Sequence, residues 1–509
     1  MTLASIILHT RNRKCNGFQA AVGIFLHSTH TPDRVISTLH HAGISISQTS
    51  IARAVKSMSA KMVQRLATLG MTILWAYDNF DVLIKPLTTV VEKNIDPLKH
   101  LTSALVFPFQ HGITAEDLQV SDELWESDSF NDKSSTSVKV TKWDMWDRIC
   151  PRYSELLFDG MEGTRVGCDS EGGDHHTEFR VWLFLRDLIE HGPDYFGQFR
   201  HELLPPTAIG DPIPVAKTEI FPLQSLDISN STVEGNIDTI ERLLDQTGLS
   251  CYEPPTPTIS LDHQILLFHG DLGTGDRINS AKLRRSIEST PRDRLQYVVF
   301  VMGLFHTKMA CAETIWRTFL KDSKARSDVT GFYSDFKLLR PRDSSALSVT
   351  FKFRPTHDAI RNIGICRRLD CIRVLAEEGG YSGLQGFADS KPKWPDILTF
   401  ARKVVKRFVP SWPELQDMDK NEPEERDGQL ENSLVFNVYS TLYEEMSYAM
   451  DHGDIGRVEM CLIAWAPLFE AAGKNKYSHH TIRLVYDLNN VFPISMRYGS
   501  NQIYILRHD

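Results

Sequence analysis

Two short apolar runs, each ended by an aspartate, limit what this chain can fold into. The stretch MTILWAY precedes Asp78, and the stretch HQILLFHG precedes Asp271. Both runs have the length of a strand and are rich in residues that suit a buried strand. Turn chemistry follows each run, since Asp78 and Asn79 can form an Asx turn and the glycines beside Asp271 allow a tight bend. We therefore expect two buried strands that end at carboxylates.

Carboxylates at strand ends permit two interpretations. Phosphoryl-transfer sites with two metal ions use carboxylates on rigid strand ends, because they must bridge divalent ions roughly 3.5–4 Å apart. Aspartates after strands are equally common in plain turns. Spacing leaves both interpretations open, since Asp78 and Asp271 are far apart in the sequence. A nucleotide-binding loop is not supported, because the segment after Asp271 lacks the lysine of a P-loop and does not fit GxGxxG.

Residues 31–59 carry the pattern of two helices joined by a short turn. Thr31 can cap the first helix, which would begin at Pro32, and Gly43 supplies its end. Ser47 can cap the second helix. The residues expected to face inward are Val35, Ile36, Leu39, Ile51, Ala54 and Val55. The residues expected to face outward near the start of the second helix are Gln48, Thr49, Arg53 and Lys56.

This layout is that of a helix-turn-helix, in which the second helix offers polar and basic side chains to the major groove of DNA. An ordinary pair of antiparallel helices has the same sequence pattern. DNA contact through Gln48, Thr49, Arg53 and Lys56 is therefore one of two interpretations of residues 31–59.

Two further groups of residues have chemistry-bearing side chains. His306 and Glu313 lie seven apart in FVMGLFHTKMACAETIW, so on one helix they would share a face and could assist a site. A buried, hydrogen-bonded histidine is the more common outcome. Cys168, His175 and His176 are metal-ligand types, but their loop lacks the matching second pair of a zinc site.

Breaks in composition divide the chain into three blocks. Residues 1–70 have helical patterns, and residues 71–350 have those of an α/β core interrupted by an acidic loop near 107–137. Residues 351–509 have the patterns of a mainly helical tail with an acidic linker near 416–431. At the end of the core, SALSVTFKFRP alternates like an edge strand. We therefore expect a mixed α/β fold that is predominantly helical.

Composition restricts the class of protein. No apolar run approaches the roughly 18 residues that cross a bilayer, and the first residues lack the order of a secretory leader. We expect an intracellular protein without membrane contact, and a nuclear one if it binds DNA. The eight cysteines form no CxxC pair, which favours reduced thiols. The net charge of -9 gives no global sign of nucleic-acid binding, so DNA contact requires a local basic patch.

Seven stretches of the chain, taken in order, carry a family resemblance. They are GISISQTSIARAVKSMS, WAYDNFDV, LTSALVFPF, STVEGNIDTIERLLDQTGL, LLFHGDLGTGDRI, GLFHTKM and GDIGRVEMCLIAWAPLFEAAGKNKYS. Together they resemble the fungal family known as domain of unknown function 6589, over nearly the whole chain. The resemblance implies a source among mushroom-forming basidiomycetes and, because such families multiply in genomes, an origin in a transposon.

The chain departs from the pattern of that family at three places. Its YDN motif is intact at Asp78, but the GDQLT-like segment keeps Asp271 and has lost the glutamine. The family's tyrosine followed three residues later by glutamate is here Tyr477 and His480. Members of the family continue into a further segment with a later glutamate, whereas this chain ends in PISMRYGSNQIYILRHD. The resemblance therefore implies a copy truncated at its C-terminus, inactive if that segment holds a third metal carboxylate.

Two hypotheses of different classes follow. The first is a transposase-like nuclease, or its relic, with an RNase H-like core between helical N-terminal and C-terminal parts. Asp78 and Asp271 would then bind Mg²⁺ or Mn²⁺ and activate water or a DNA 3′-hydroxyl for in-line attack on a phosphodiester. The third ligand is open among Glu313, Glu445 and Glu459. The second is a non-catalytic DNA-binding or interaction protein that uses the helix-turn-helix segment.

Overall fold

The chain passes between two structural units near residues 108, 218 and 261. The computed structural model describes residues 2–83, 98–110, 112–131, 140–158, 174–210, 212–249, 261–321, 323–342, 344–347, 349–420, 426–493 and 496. Unit 1 comprises Met1–Pro108 and Glu219–Leu261, and unit 2 comprises Phe109–Thr218 and Asp262–Asp509. Each unit joins segments that are distant in sequence, so this division differs from three consecutive blocks.

The described residues form helices and strands that are numbered here in chain order. The helices are α1 (Thr2–Arg11), α2 (Gly17–Ser28), α3 (Asp33–His41), α4 (Gln48–Leu69), α5 (Ser121–Ser127), α6 (Lys142–Phe158), α7 (His175–His191), α8 (Val233–Thr247), α9 (Leu272–Arg285), α10 (Leu304–Trp316), α11 (Ser323–Ser327), α12 (Phe332–Leu339), α13 (Ser344–Leu347), α14 (Phe353–Glu378), α15 (Gly383–Asp389), α16 (Trp394–Phe408), α17 (Trp412–Asp419), α18 (Gly428–His452), α19 (Ile455–Ala471) and α20 (Asn475–Tyr486). The strands are β1 (Ile73–Leu83), β2 (Leu98–Pro108), β3 (Phe221–Pro222), β4 (Leu266–Gly270) and β5 (Val298–Met302).

Unit 1 combines an N-terminal helical part with an antiparallel sheet. β1 pairs with β2 over its whole length, and β2 pairs on its other side with the short β3. The first half of β1 is buried and includes Trp75, whereas its second half is mostly exposed. α8 is tied to β1 because the hydroxyl of Tyr77 donates to Asn236 Oδ1 at 3.0 Å. This bond is buried, and it fixes the helix on the sheet.

Unit 2 holds a parallel strand pair and a large helical core. β4 and β5 run parallel, with α9 as the crossover between them, which is the connection that parallel strands require. The helical core is an apolar cluster centred on α7, α14 and α16. Its most buried members include Phe184, Leu188, Ile372, Ile397, Val404 and Val438. Helices from the middle and the end of the sequence therefore share one core.

The mixed α/β, predominantly helical fold that the sequence predicts is confirmed. The expectation that a strand ends before Asp271 is confirmed as well, since β4 ends at Gly270. The same expectation for Asp78 is wrong, because β1 continues to Leu83 through its pairing with β2. Among the described residues, no helix combines the length and the apolar character needed to cross a membrane.

The edge strand expected in SALSVTFKFRP is absent from the described part of the chain. Residues 344–347 form the short helix α13, and α14 begins at Phe353. The carbonyl of Leu347 accepts a hydrogen bond at 2.6 Å from the indole of Trp316. Alternation predicts a strand only where a partner strand pairs with it, and this carbonyl is bound by a side chain instead.

Gly456 in the first turn of α19 tests the packing of unit 2. A Cβ atom at this position would lie 2.3 Å from the carbonyl oxygen of Ile209, so the backbone would have to shift. We expect Gly456→Ala to lower the free energy of unfolding by about 1–3 kcal/mol in urea denaturation. Gly428, in the first turn of α18, is the matched control, since a Cβ there meets nothing within 4 Å. Equal losses in the two variants would contradict this packing.

Candidate functional site

The turn between α3 and α4 is built by local capping and a small apolar core. Gly43 has a φ of 72°, which only glycine adopts readily. The hydroxyl of Ser47 accepts a hydrogen bond from the backbone N–H of Ser50 at 3.3 Å and caps α4. The buried residues of this core are Ile36, Ile46 and Ile51. Sequence reasoning placed the Ser47 cap and the turn correctly.

The inward and outward faces of these helices agree in part with the prediction. Gln48, Thr49, Arg53 and Lys56 are all exposed on α4, as expected. Ile36 and Ile51 are buried, but Val35 and Val55, which were expected inward, are 44% and 38% exposed. The predicted cap at Thr31 is wrong by one residue, because Pro32 precedes the first helical residue, Asp33.

The electrostatics of the N-terminal helices differ from those of the rest of the chain. Residues 1–70 contain eight lysines and arginines and one acidic residue, Asp33, although the whole chain has a net charge of -9. α4 itself contains no acidic residue. Arg65 at its far end is paired with Glu219. Among the described residues, none forms an ion pair with Arg53 or Lys56, so this part of α4 is a locally basic surface.

Asp78 lies within β1, in unit 1. It is opposite Ser103 of β2, and its side chain is exposed. Its Oδ1 accepts a hydrogen bond from the backbone N–H of Asn79 at 2.8 Å. Asn79 Oδ1 in turn accepts from the backbone N–H of Asn230 at 3.2 Å. The YDN motif therefore joins β1 to the segment before α8 and presents one exposed carboxylate.

Asp271, in unit 2, is the N-cap of α9. Its Oδ1 accepts a hydrogen bond from the backbone N–H of Thr274 at 2.7 Å. It stands at the carboxyl end of β4, beside the carboxyl end of β5. There a Cβ on Gly303 would lie 3.6 Å from both the Gly270 carbonyl and the His306 ring. Such an edge is where open α/β sheets bind ligands.

His306 and Glu313 both belong to α10, as predicted, and both are partly buried. Glu313 Oε2 lies 2.6 Å from Lys474 Nζ, and its Oε1 lies 2.8 Å from Arg317 Nη2. Burial opposes ionisation of Glu313, but these two cations outweigh it and lower the pKa of the carboxyl. Burial raises the pKa of Tyr477 to about 12, with contributions from the carboxylates of Asp271 and Glu313. The structure therefore brings Asp271 and Glu313 to one tyrosine.

All three glutamates considered as a third metal ligand have polar partners. Glu313 is held by Lys474 and Arg317, as above. Glu445 is buried between His176 and Arg457. Glu459 lies 3.5 Å from Arg152 Nε and accepts from Asn489 at 2.6 Å. These contacts are those of structural ion pairs, because each carboxylate is already neutralised by a cation.

A buried group in unit 2 was missed by sequence reasoning. His176 Nδ1 lies 2.6 Å from Glu445 Oε2, and Arg457 Nη1 lies 2.8 Å from Glu445 Oε1. Arg457 Nε also donates to Asp454 Oδ2 at 2.9 Å. Cys461 completes the group, and burial raises the pKa of its thiol well above the usual value. The four-residue spacing of Arg457 and Cys461 was the one available signal. Cys168, considered earlier with His176, lies outside the described residues.

The buried pair between Arg457 and Glu445 gives a stability prediction. Both side chains are 1% exposed, so removal of one partner leaves an uncompensated buried charge. We expect Arg457→Met to lower the free energy of unfolding by about 3–5 kcal/mol. The matched control is Arg373→Met, since Arg373 forms an exposed ion pair with Glu377 that is worth at most about 1 kcal/mol. Urea denaturation of both variants measures the difference, and similar losses would contradict it.

The comparisons with known proteins bear on the family alone. A comparison with curated proteins and one with solved structures give no significant match. The profile of a family of unknown function, DUF6589, matches residues 165–502. This range covers more than half of the chain and includes the segments around Asp271, Glu313 and Cys461. The chain therefore belongs to the family of unknown function DUF6589.

Proposed function

We propose that the chain is a transposase-like nuclease, or the relic of one, that acts on DNA phosphodiesters through an RNase H-like core. The observation that carries the proposal is the order of elements around its two aspartates. Three antiparallel strands, β1 to β3, are followed by helix α8 and then by the parallel pair β4 and β5 with its crossover α9. RNase H-like cores have this order of elements.

The two aspartates have the chemistry that a divalent metal ion requires. Asp78 is an exposed carboxylate on a strand that is paired along its whole length, so its backbone is rigid. Asp271 follows β4 directly and uses one carboxylate oxygen, Oδ1, as a helix cap. Carboxylate oxygens are the ligands that Mg²⁺ and Mn²⁺ prefer. Bound metal would polarise the phosphodiester and activate water or a 3′-hydroxyl.

Substitution of the aspartates tests this proposal. We expect Asp78→Asn and Asp271→Asn each to lower Mn²⁺-dependent cleavage of plasmid DNA by at least about a hundredfold, as a lost metal ligand should. Asparagine is as good an N-cap as aspartate, so Asp271→Asn should keep α9 intact. The matched control is Asp427→Asn, because Asp427 caps α18 in the same way.

Cleavage and metal binding are measured on the same protein samples. Wild-type protein that neither cleaves DNA nor binds Mn²⁺ in a titration would refute the metal site. Binding of Mn²⁺ without cleavage would refute a working nuclease and identify a relic. Cleavage that Asp427→Asn abolishes equally would show that the loss comes from altered folding.

We also propose, as a second function, that α3 and α4 bind DNA. The supporting observation is the exposed row of Gln48, Thr49 and Arg53 on the first turns of α4, with Lys56 one turn further. Recognition helices present such residues to base edges and phosphates. The excess of positive charge in residues 1–70 is the local basic patch that an acidic chain needs for this contact.

The salt dependence of DNA binding tests this second function. We expect the double variant Arg53→Ala, Lys56→Ala to weaken binding and to reduce the slope of log K against log salt by about two, since each lost phosphate contact contributes about 0.9. The control removes two exposed cations of unit 2, Arg373 and Lys420, by the same change to alanine. Fluorescence anisotropy with duplex DNA gives the slopes. Unchanged binding in the first variant would remove α4 from the DNA interface.

A further inference from the structure

Three helices of unit 2 bring a histidine, a glutamate and a cysteine together. His176 is the second residue of α7, Glu445 lies on α18, and Cys461 lies on α19. One potential ligand atom from each side chain lies within 4.8 Å of the other two. The side chains are 6%, 1% and 0% exposed, in that order. Such a buried convergence of nitrogen, oxygen and sulfur ligands is uncommon where packing alone is at work.

The charges of the group leave one negative charge uncompensated. Glu445 and Asp454 are two carboxylates that share the single guanidinium of Arg457, at 2.8 and 2.9 Å. A buried net charge is costly unless a partner neutralises it. Within this hydrogen-bonded group, the partner on the side of His176 is either a proton on the imidazole or a metal cation. The group therefore has room in its charge balance for a cation.

A second observation points to a ligand. Among the described residues, no hydrogen-bond partner meets His176 Nε2, although the atom is buried. Buried side-chain nitrogens are normally hydrogen-bonded. Its other nitrogen, Nδ1, is held by Glu445 at 2.6 Å. A carboxylate that orients one nitrogen of an imidazole while the other faces a metal is the usual environment of a metal-binding histidine.

We propose that His176, Glu445 and Cys461 form a structural zinc site that fastens α7, α18 and α19 to one another. Zn²⁺ accepts nitrogen, oxygen and sulfur ligands together, whereas Mg²⁺ and Ca²⁺ require oxygen. When zinc binds, the S–H bond of Cys461 breaks, the sulfur–zinc bond forms and the proton passes to solvent. No oxidation or reduction is involved. This site is separate from the oxygen-ligand site proposed for Asp78 and Asp271.

Cobalt substitution tests the site in the full chain. The protein is treated with a chelator and titrated with Co²⁺ and then with Zn²⁺. We expect about one Co²⁺ per chain with a thiolate-to-cobalt charge-transfer band, and displacement of that Co²⁺ by Zn²⁺. Cys461→Ser should abolish the band, and His176→Gln should weaken Zn²⁺ binding by at least about a hundredfold. The control Cys371→Ser changes another largely buried thiol, on α14, and should keep both.

Circular dichroism shows whether each variant is folded, and the wild-type spectrum gives an answer that depends on no variant. Wild-type protein that binds no Co²⁺, or binds it without a sulfur band, would overturn the proposal. A band that persists in folded Cys461→Ser would also overturn it, because another thiol would then be the ligand. Zinc should raise the midpoint of thermal unfolding of the wild-type protein, and an unchanged midpoint would refute the structural role.

Discussion

Two adjacent glutamates on α18 hold the helices of unit 2 in place. Glu444 lies 2.8 Å from Arg368 of α14, and Arg368 also binds Asp187 of α7 at 2.6 Å. Glu445 instead binds Arg457 of α19. Neighbouring residues on a helix point in different directions, so one turn of α18 joins helices on two sides. Because each charge is costly to bury alone, the helices satisfy them only when they assemble in one register.

These pairs explain why the site in unit 2 was hard to predict. A glutamate in a helical pattern is expected at the surface, and the partner of Glu445, His176, is 269 residues away in the sequence. Local features were predictable because they depend on neighbours in the chain. The cap at Ser47, the end of β4 before Asp271 and the exposed face of α4 are of this kind. Periodicity identifies faces, whereas the choice of buried charge depends on tertiary contacts.

β1 shows the same limit for strands. Its first half is apolar and was predictable, but the strand continues past Asp78 because β2 pairs with every residue up to Leu83. The partner strand supplies the hydrogen bonds that an isolated polar stretch would have to find in water. The opposite happens at SALSVTFKFRP, which alternates but has Trp316 as the partner of its Leu347 carbonyl. Pairing, rather than alternation, decides both cases.

The carboxylates of the chain divide into two classes by their partners, and this division supports a choice of metal for each site. Asp78 and Asp271 accept hydrogen bonds from backbone N–H groups, which stabilise a carboxylate without neutralising its charge. Glu313 and Glu445 have arginine or lysine partners, which do neutralise it. A hard divalent cation is attracted by the first class because it brings the compensating charge itself. Glu445 is suited instead to a softer ion, because Cys461 and His176 supply the stronger ligands while its second oxygen stays with Arg457.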